Sequence, residues 1–330
     1  MGLIYIESTS TNPYFNLALE QYVFDSLPRT NDYFMLWQND NAIIVGKHQN
    51  TIEEINAEYV KQHGIKVVRR QSGGGAVYHD MGNLNYTLIS DAVEANRLKF
   101  SDFCQPVVKA LARMGVTAEI SGRNDMTIDG KKFSGNAQYV KQHRIMHHGT
   151  ILFDSDLSVV SAALNVSRDK IESKGIKSVR SRVTNVRDYL PNDMPLEEFK
   201  NLLKHYMVDE QHVPQYFLTP EDVAAVEELQ KTYESWEWNY GSSPKYSIRK
   251  ERRIEGFGKI QIMMDVDKGG IITNFATFGD YFGADADDVA KAIIGHASEE
   301  KALLAALADL DIGLYFNNLT REQLVEVILQ

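Results

Sequence analysis

The chain has 330 residues, 43% of them hydrophobic and 24% charged, with a formal net charge of −10. That composition suits a soluble globular protein with one large core and room for a smaller one. The negative balance excludes non-specific binding to nucleic acid or anionic membrane, which needs a net basic surface, and a lone cysteine, Cys104, excludes internal disulfides and thiolate metal clusters.

No apolar run approaches the ~20 residues of a membrane span. The opening MGLIYIESTS has neither the basic nor the apolar part of a signal peptide, so a cytoplasmic protein is expected. LIYIES (Leu3–Ser8) reads as a strand, and Asn12-Pro13 opens a helix that runs to about Leu27. YFMLW (Tyr33–Trp37) and AIIVG (Ala42–Gly46) are strands by their β-branched and aromatic content. A short helix is expected over Ile55–His63, closed by Gly64, and Ile65–Arg70 is the strand that follows.

That strand delivers VVRRQSGGGAVYHD (Val67–Asp80), a strand–loop–strand pattern around three successive glycines. Glycine weakens regular elements by roughly 0.5–1 kcal/mol per residue. Its use here lies in what it permits: positive φ, uncovered N–H groups and close approach of a ligand to the backbone. With Arg69 and Arg70 alongside, the loop is either an anion cradle or a tight turn with two surface arginines.

LNYTLIS (Leu84–Ser90) is the next strand. A helix over Ser101–Met114 holds Cys104, read as core filler or a lone nucleophile, and VTAEIS is again a strand. Asp129-Gly130 between MTI and KKF signals a hairpin, and alternation lets only one of Lys131 and Lys132 enter a pocket. A second hairpin turns near Gln142-His143-Arg144. The same alternation points His147 and His148 to opposite faces, one to core and one to pocket, so they cannot hold one metal ion together. Helices follow at Leu157–Leu164 and Arg168–Lys174.

From Arg168 to Asp188 seven Lys/Arg stand against three acids, locally +4. The aperiodic KGIKSVRSRVTN (Lys174–Asn185) within it is a functional or a solvated loop. Helices over Pro195–Val208 and Pro220–Glu234 precede WEWNYGSSPK (Trp236–Lys245), where the pattern breaks. A boundary there gives a first domain over 1–243 and a small α+β domain over 244–330. The latter holds three strands (Tyr246–Ile254, Lys259–Val266, Ile271–Phe278) and three helices (Asp285–Ile294, Glu299–Ala308, Arg321–Leu329). Strands mixed with helices and hairpins imply a mixed α/β, or α+β, fold with a mixed sheet. Five basic residues over Lys245–Arg253 either steer an acidic partner or form a solvated strand.

Neither GxxxxGK[ST] nor GxGxxG is present. A glycine loop with arginines, a hairpin lysine, Asn124-Asp125 and a basic loop suit activation of a carboxylic acid by a nucleotide. Two anions must meet, and cations and N–H groups would stabilise the transition state. Asp125 could help hold magnesium, which takes carboxylate and phosphate oxygens together.

Together RRQSGGGAVYHDMGNLNYT (Arg69–Thr87), GRNDMTIDGKKFSGNAQ (Gly122–Gln138), HHGT (His147–Thr150) and KGIKSVRSRVTN resemble the two-domain bacterial lipoate–protein ligases. The likeness is in register over most of residues 1–245 and looser beyond. It implies a biotin/lipoate-ligase-like catalytic domain and a two-step reaction. Lipoate and ATP, with Mg2+, give lipoyl-AMP, and the lipoyl group passes to a lysine of lipoyl domains of 2-oxoacid dehydrogenase complexes or of glycine-cleavage H protein. It further implies that Arg70, Gly75, Ala76, Val77, Tyr78 and Lys132 contact ATP, and that Lys132 is the catalytic lysine. Gly73, Gly74, Gly75, Arg70, Lys132 and His148 are expected to meet lipoate, with Lys174, Ser178, Arg180, Arg182 and Val183 in an adenylate-binding loop. Two rivals stand beside it: an ATP-independent acyltransferase acting through Cys104, and a non-catalytic lipoate-binding protein.

Overall fold

The computed structural model describes residues 2–91, 99–122, 124–164, 183–241 and 248–330. Thirteen strands are described: β1 (Leu3–Glu7), β2 (Asp32–Trp37), β3 (Ala42–Val45), β4 (Lys66–Arg69), β5 (Val77–His79), β6 (Asn83–Asp91), β7 (Glu119–Ser121), β8 (Asp125–Ile128), β9 (Lys131–Lys141), β10 (Arg144–Leu152), β11 (Ile248–Ile254), β12 (Gly258–Val266) and β13 (Ile272–Gly279). The main sheet has the order β1-β2-β6-β10-β9-β8-β7. Its β1–β2 pair is parallel and its other pairs antiparallel, so the expected mixed sheet is present. Both hairpin turns carry residues at positive φ, Asp129 and Gly130 in one and Gln142 and His143 in the other. That backbone matches the twist of adjoining strands.

Each face of the sheet buries a different set of helices. Phe34, Leu36, Tyr86, Phe133, Ile151 and Phe153 pack against the helices Phe100–Arg113 and Leu196–Met207. In the latter, Phe199, Leu203 and Met207 recur every four residues, one buried stripe of an amphipathic helix. On the opposite face, Met35, Trp37, Ile89 and Met146 meet the helices Pro13–Ser26 and Pro220–Glu234 and the small sheet β4-β3-β5. That small sheet roofs part of the second face, and the glycine loop joins its β4 to its β5.

The expected helix over Ile55–His63 starts later, at Ala57, because the Asn56 side chain caps it by accepting from Tyr59 N while Ile55 bridges to Leu164. WEWNYG, read as a break, holds a short helix over Trp236–Tyr240 that the Ser235 hydroxyl caps. The expected helix Arg168–Lys174 lies outside the described residues.

Residues 248–330 form a three-stranded antiparallel sheet, β11-β12-β13, with helices packed on it around Ile260, Ile262, Phe275, Leu303 and Leu324. This unit rests against the glycine loop and the turn before it. Gly74 N donates to Tyr281 O at 3.0 Å and Gly279 N to His48 O at 2.8 Å, His48 stacks on Tyr281, and Arg249 pairs with Glu53. The basic strand β11 is largely neutralised: Arg249 also meets Glu251, Arg252 meets Glu326, and Arg253 meets Asp280. Among the described residues no helix is long and apolar enough to cross a membrane.

Candidate active site

The two arginines ahead of the glycines do different work. Arg69 is buried and hydrogen-bonds the carbonyls of Gly46, Lys47 and Gln49, the Thr51 hydroxyl, and the carbonyls of Trp238 and Asn239. It is a structural staple with nothing left for a ligand. Arg70 folds back on its own loop: Nε donates to Ser72 Oγ, and the two terminal nitrogens donate to the carbonyls of Ile44, Gly73 and Gly75. Four of its five N–H groups therefore fix the loop's shape, and its charge stays beside the cavity as a fixed positive field. Burial pushes both guanidinium groups down to about 10, still charged at neutral pH. Glycine is required here by contact: a Cβ on Gly46 would lie 1.9 Å from Gly74 O, and Gly74 itself sits at φ +90°.

Below the loop, on the second face of the main sheet, lies a cavity of about 250 Å³. Leu17, Trp37, Ile44, Ala76 and Val77 supply its apolar wall. Its floor is polar because β6 alternates Asn83, Asn85 and Thr87 toward this face, all essentially unexposed. Register places Asn85 opposite Trp37 on one side and Thr150 on the other, and Thr87 opposite His148. Buried polar groups need partners, and here Glu20 supplies several. It accepts from Thr87 Oγ1 at 2.5 Å and from His148 Nδ1 at 3.0 Å. With Nδ1–H given to the carboxylate, His148 Nε2 accepts the Ser72 hydroxyl at 2.6 Å, and Ser72 in turn accepts from Arg70. One continuous chain of hydrogen bonds thus ties the cavity floor to the glycine loop.

Lys132 reaches the same cavity through an irregularity. In the β8–β9 pairing Met126 faces Ser134 but Thr127 faces Lys132, so Phe133 is an extra residue on β9. Strict alternation would put Lys132 with Ser134 and Asn136, which are buried at 0% and 3% exposure. The bulge turns it instead to the cavity side, a common use of bulges near sites. Its Nζ lies 2.7 Å from Asp125 Oδ1 and over Gly135, where a Cβ would come within 3.0 Å of it. Lys131 points outward and is exposed. Behind Lys132, Thr184 N donates to its carbonyl and Val183 pairs with it as an isolated parallel bridge.

Comparison with known proteins gives the family. Residues 12–208 match the lipoyl protein ligase A/B catalytic domain and residues 243–328 the bacterial lipoate protein ligase C-terminus. The chain is 43% identical to lipoate-protein ligase LplJ of Bacillus subtilis, over 99% of this chain and all of that one. It is 43% identical to lipoate–protein ligase 1 of Staphylococcus aureus, over 96% and 97% of the two. The chain belongs to the lipoate–protein ligase family. Among solved structures, LipL1 of P. falciparum in complex with lipoate shares the fold over 99% of this chain and 98% of its own, with TM-score 0.80 and 23% identity. A crystal structure of lipoate-protein ligase A bound with ATP matches over 73% of this chain and 98% of its own, with TM-score 0.61 and 27% identity.

Of the residues expected to serve this ligase-family site, Arg70, Gly74, Gly75, Ala76, Val77, Asp125, Lys132 and His148 line the one cavity, and Asn124 does too. Gly73 does not, since its α-carbon faces the Tyr281 carbonyl. Tyr78 alternates away from Val77, and its hydroxyl donates to Asn41 Oδ1. Lys174, Ser178, Arg180 and Arg182 lie outside the described residues. Cys104 is at 1% exposure in the core of the other face, near Tyr86 and His147, and burial pushes its thiol up to about 11. A thiol so placed is a packing group, and it does not line the cavity. His147 shares that core at 0% exposure.

Glu20, Ser72, Trp37, His79 and Asn85 were not reached from sequence. The polar period-2 run Asn83-x-Asn85-x-Thr87 was the available signal, because three polar residues on one face of an otherwise apolar strand mark a buried polar floor. Glu20 and Trp37 gave none, lying in apolar elements that look like plain core.

Proposed function

We propose that this chain activates lipoate with ATP to lipoyl-AMP, releasing pyrophosphate, and then transfers the lipoyl group to the ε-amine of an acceptor lysine. The observation that carries this reading is the cavity's polarity: Leu17, Trp37, Ile44 and Val77 line it together with Lys132, Asp125 and the Arg70-stapled glycine loop. A slender apolar acid with a charged head fits such a division. Its chain would pass along Trp37 and beneath Gly74 and Gly75, with His148 at its side. Its carboxylate would meet Lys132.

In the first step the carboxylate attacks an α-phosphorus, and two anions approach each other. The ammonium of Lys132 is placed to lie between them, and the fixed field of Arg70 adds to it without any reorganisation at the moment of reaction. Lysine suits this position because its compact charge can follow the carbonyl oxygen from acid to mixed anhydride. Gly75, Ala76 and Val77 would flank the nucleotide, with the Tyr78 backbone continuing their strand. Among the described residues no three His, Cys, Asp or Glu side chains converge on one point. Magnesium bound mainly by phosphate and water needs only one carboxylate, and Asp125 can supply it. The metal would neutralise phosphate charge.

In the second step the acceptor lysine, ordinarily with a pKa near 10.4, arrives as the free amine and displaces AMP. Lys132 remains on the carbonyl oxygen. Acceptors of this chemistry are the lipoyl domains of 2-oxoacid dehydrogenase complexes and the glycine-cleavage H protein, modified by the catalytic domain over 1–243 with 244–330 as accessory domain. The bipartite lipoate protein ligase of Thermoplasma acidophilum, a chain of whose structure is 29% identical to this one, goes with an E2 lipoyl domain, which supports that class. The test is pyrophosphate release on adding lipoate and ATP, followed by labelled lipoyl transfer to purified acceptors. No pyrophosphate with an intact fold overturns the proposal. Buried Cys104 gives the thiol-dependent alternative no support.

A further inference from the structure

Asp125 and Lys132 meet at 2.7 Å, yet each side chain is more than a third exposed, so packing alone does not hold the pair. Asp125 is also the first residue of β8, just after a turn that holds Gly122 at φ +60°. Ends of elements open more readily than their centres, so the place of this carboxylate needs a separate hold. Asn136 supplies it, one residue beyond Gly135, the partner of Asp125 in the β8–β9 register. Its N–H and its Nδ2 both donate to Asn124 O, at 2.9 and 3.1 Å, and Asn124 Nδ2 donates to Asn136 O at 2.6 Å. Three hydrogen bonds thus tie the residue before Asp125 to β9.

Asn136 is itself held from behind. Tyr86 lies opposite Gly149, and Gly149 opposite Asn136, so the three form one row across β6, β10 and β9. A Cβ on Gly149 would lie 2.1 Å from Asn136 Oδ1. Through the gap that glycine leaves, the Tyr86 hydroxyl reaches past β10 and donates to Asn136 Oδ1 at 2.5 Å, with His147 Nε2 3.2 Å from the same oxygen. The amide cannot be turned over, because Asn124 O only accepts and the nitrogen must face it. Its other hydrogen goes to Ser134 Oγ at 3.3 Å. Asn136 is 3% exposed, and a buried polar group satisfied on both amide atoms is rigid. The row therefore begins on the packing face at Tyr86 and ends beside the carboxylate that meets Lys132. An ammonium on a flexible four-carbon stem follows its partner, and Lys132 Nζ rests over Gly135 and against Asp125.

Resting on the ligase reading above, we propose that Asn136, backed by Tyr86, is a positioning residue for the reaction: by holding Asn124 it sets the Asp125 carboxylate, and through it the place of the Lys132 ammonium between the two anions.

The test follows pyrophosphate release from lipoate and ATP by the full chain. Asn136→Ala removes the side chain that holds Asn124, and Tyr86→Phe removes only the hydroxyl behind it. Misplacing a reacting group by an ångström costs up to about 10²-fold, so kcat is expected to fall roughly tenfold or more in Asn136→Ala and roughly threefold in Tyr86→Phe, with lipoate affinity by calorimetry within about threefold in both. The deciding measurement is a double-mutant cycle with Asp125→Asn. Acting through Asp125, Asn136→Ala costs at most about twofold more once the carboxylate is gone, whereas a merely structural asparagine gives its full loss again. Amide exchange reads the positioning without activity: the N–H at position 136, which donates to Asn124 O, should exchange about tenfold faster or more in Asn136→Ala. Additive losses in the cycle, unchanged kcat in a folded Asn136→Ala chain, or unchanged exchange each overturns the proposal. Should Asn136→Ala fail to fold, Tyr86→Phe carries the same cycle, its loss vanishing in the Asp125→Asn background. A wild type that releases pyrophosphate while Asn136→Ala matches it keeps the ligase reading and loses the positioning role. A wild type that releases none loses the ligase reading, and exchange at position 136 still decides whether Asn136 holds Asn124.

Discussion

His147 and His148 are adjacent in sequence and live in different chemical worlds, because the main sheet separates a face packed throughout from the face that holds the cavity. On the packing side His147 is stacked on Phe103, hydrogen-bonded to Asn136 and Gln138 with Tyr86 and Cys104 beside it, and held well below the ordinary histidine range by burial and then by the nearby His148. On the cavity side His148 joins Glu20 to Ser72 and so to the glycine loop. The lesson is that residue type says little here and strand parity nearly everything. Lys132 is the exception, and it crosses by means of the bulge at Phe133.

The sharpest test of that division is the lysine pair. Lys132→Met should cut lipoate-dependent pyrophosphate release on the order of 10²–10³-fold, the usual effect of removing a preorganised oxyanion stabiliser, with little change in melting temperature. Lys131→Met should do almost nothing to either. Equal effects of the two would break the parity argument.

A second test uses pH and buried histidines. His48 is pushed down to about 4, His79 to about 3, and His147 well below its ordinary value, burial being the main cause for each. The unfolded chain therefore binds more protons than the native one below about pH 6.5. Stability is complete above that pH and declines as pH falls toward 4, by at most about 1.4 kcal/mol per pH unit for each histidine. Melting temperature measured from pH 7.5 to 4.5 should show this slope, and His147→Gln should reduce it by about a third. A flat profile would mean that these rings are not buried neutral.

Crowding offers a third test. A Cβ on Gly149 would sit 2.1 Å from Asn136 Oδ1 and 2.6 Å from Tyr86 Cε1, on the packing side. Gly149→Ala should destabilise by roughly 1–3 kcal/mol, read as a shift in denaturation midpoint. The smallest effect is expected from Cys104→Ser. Stability should fall by about 1 kcal/mol for burying a hydroxyl, and transfer activity should stay within about twofold. Abolished transfer would bring back the thiol mechanism.

The hairpins, the two-histidine parity and the glycine loop were legible because each depends on neighbours in the chain. Asp129-Gly130 needs only positive φ at both turn residues, and that is a local property. Arg69 was not legible. It looks like a surface cation beside an anion loop, yet its partners include Trp238 and Asn239, which no local rule brings near. The same holds for Glu20, a helix residue whose function exists only once β6 and β10 lie beneath it. Which of Lys131 and Lys132 faces the cavity was also beyond the pattern, since a one-residue bulge reverses parity and leaves no mark in the alternation.

The Arg69 staple also carries a consequence for how the protein is made. Asn239 Oδ1 accepts from Arg69 N, and its carbonyl from the guanidinium, across 170 positions of chain. A ribosome adding about 5–20 residues per second needs roughly 10–30 s to cover that distance. Until the Trp236–Tyr240 helix has left the exit tunnel, the base of the glycine loop lacks one of its walls. The nascent chain therefore has no assembled site until well over three-quarters of the protein has been translated, since Asp280 also lines the cavity.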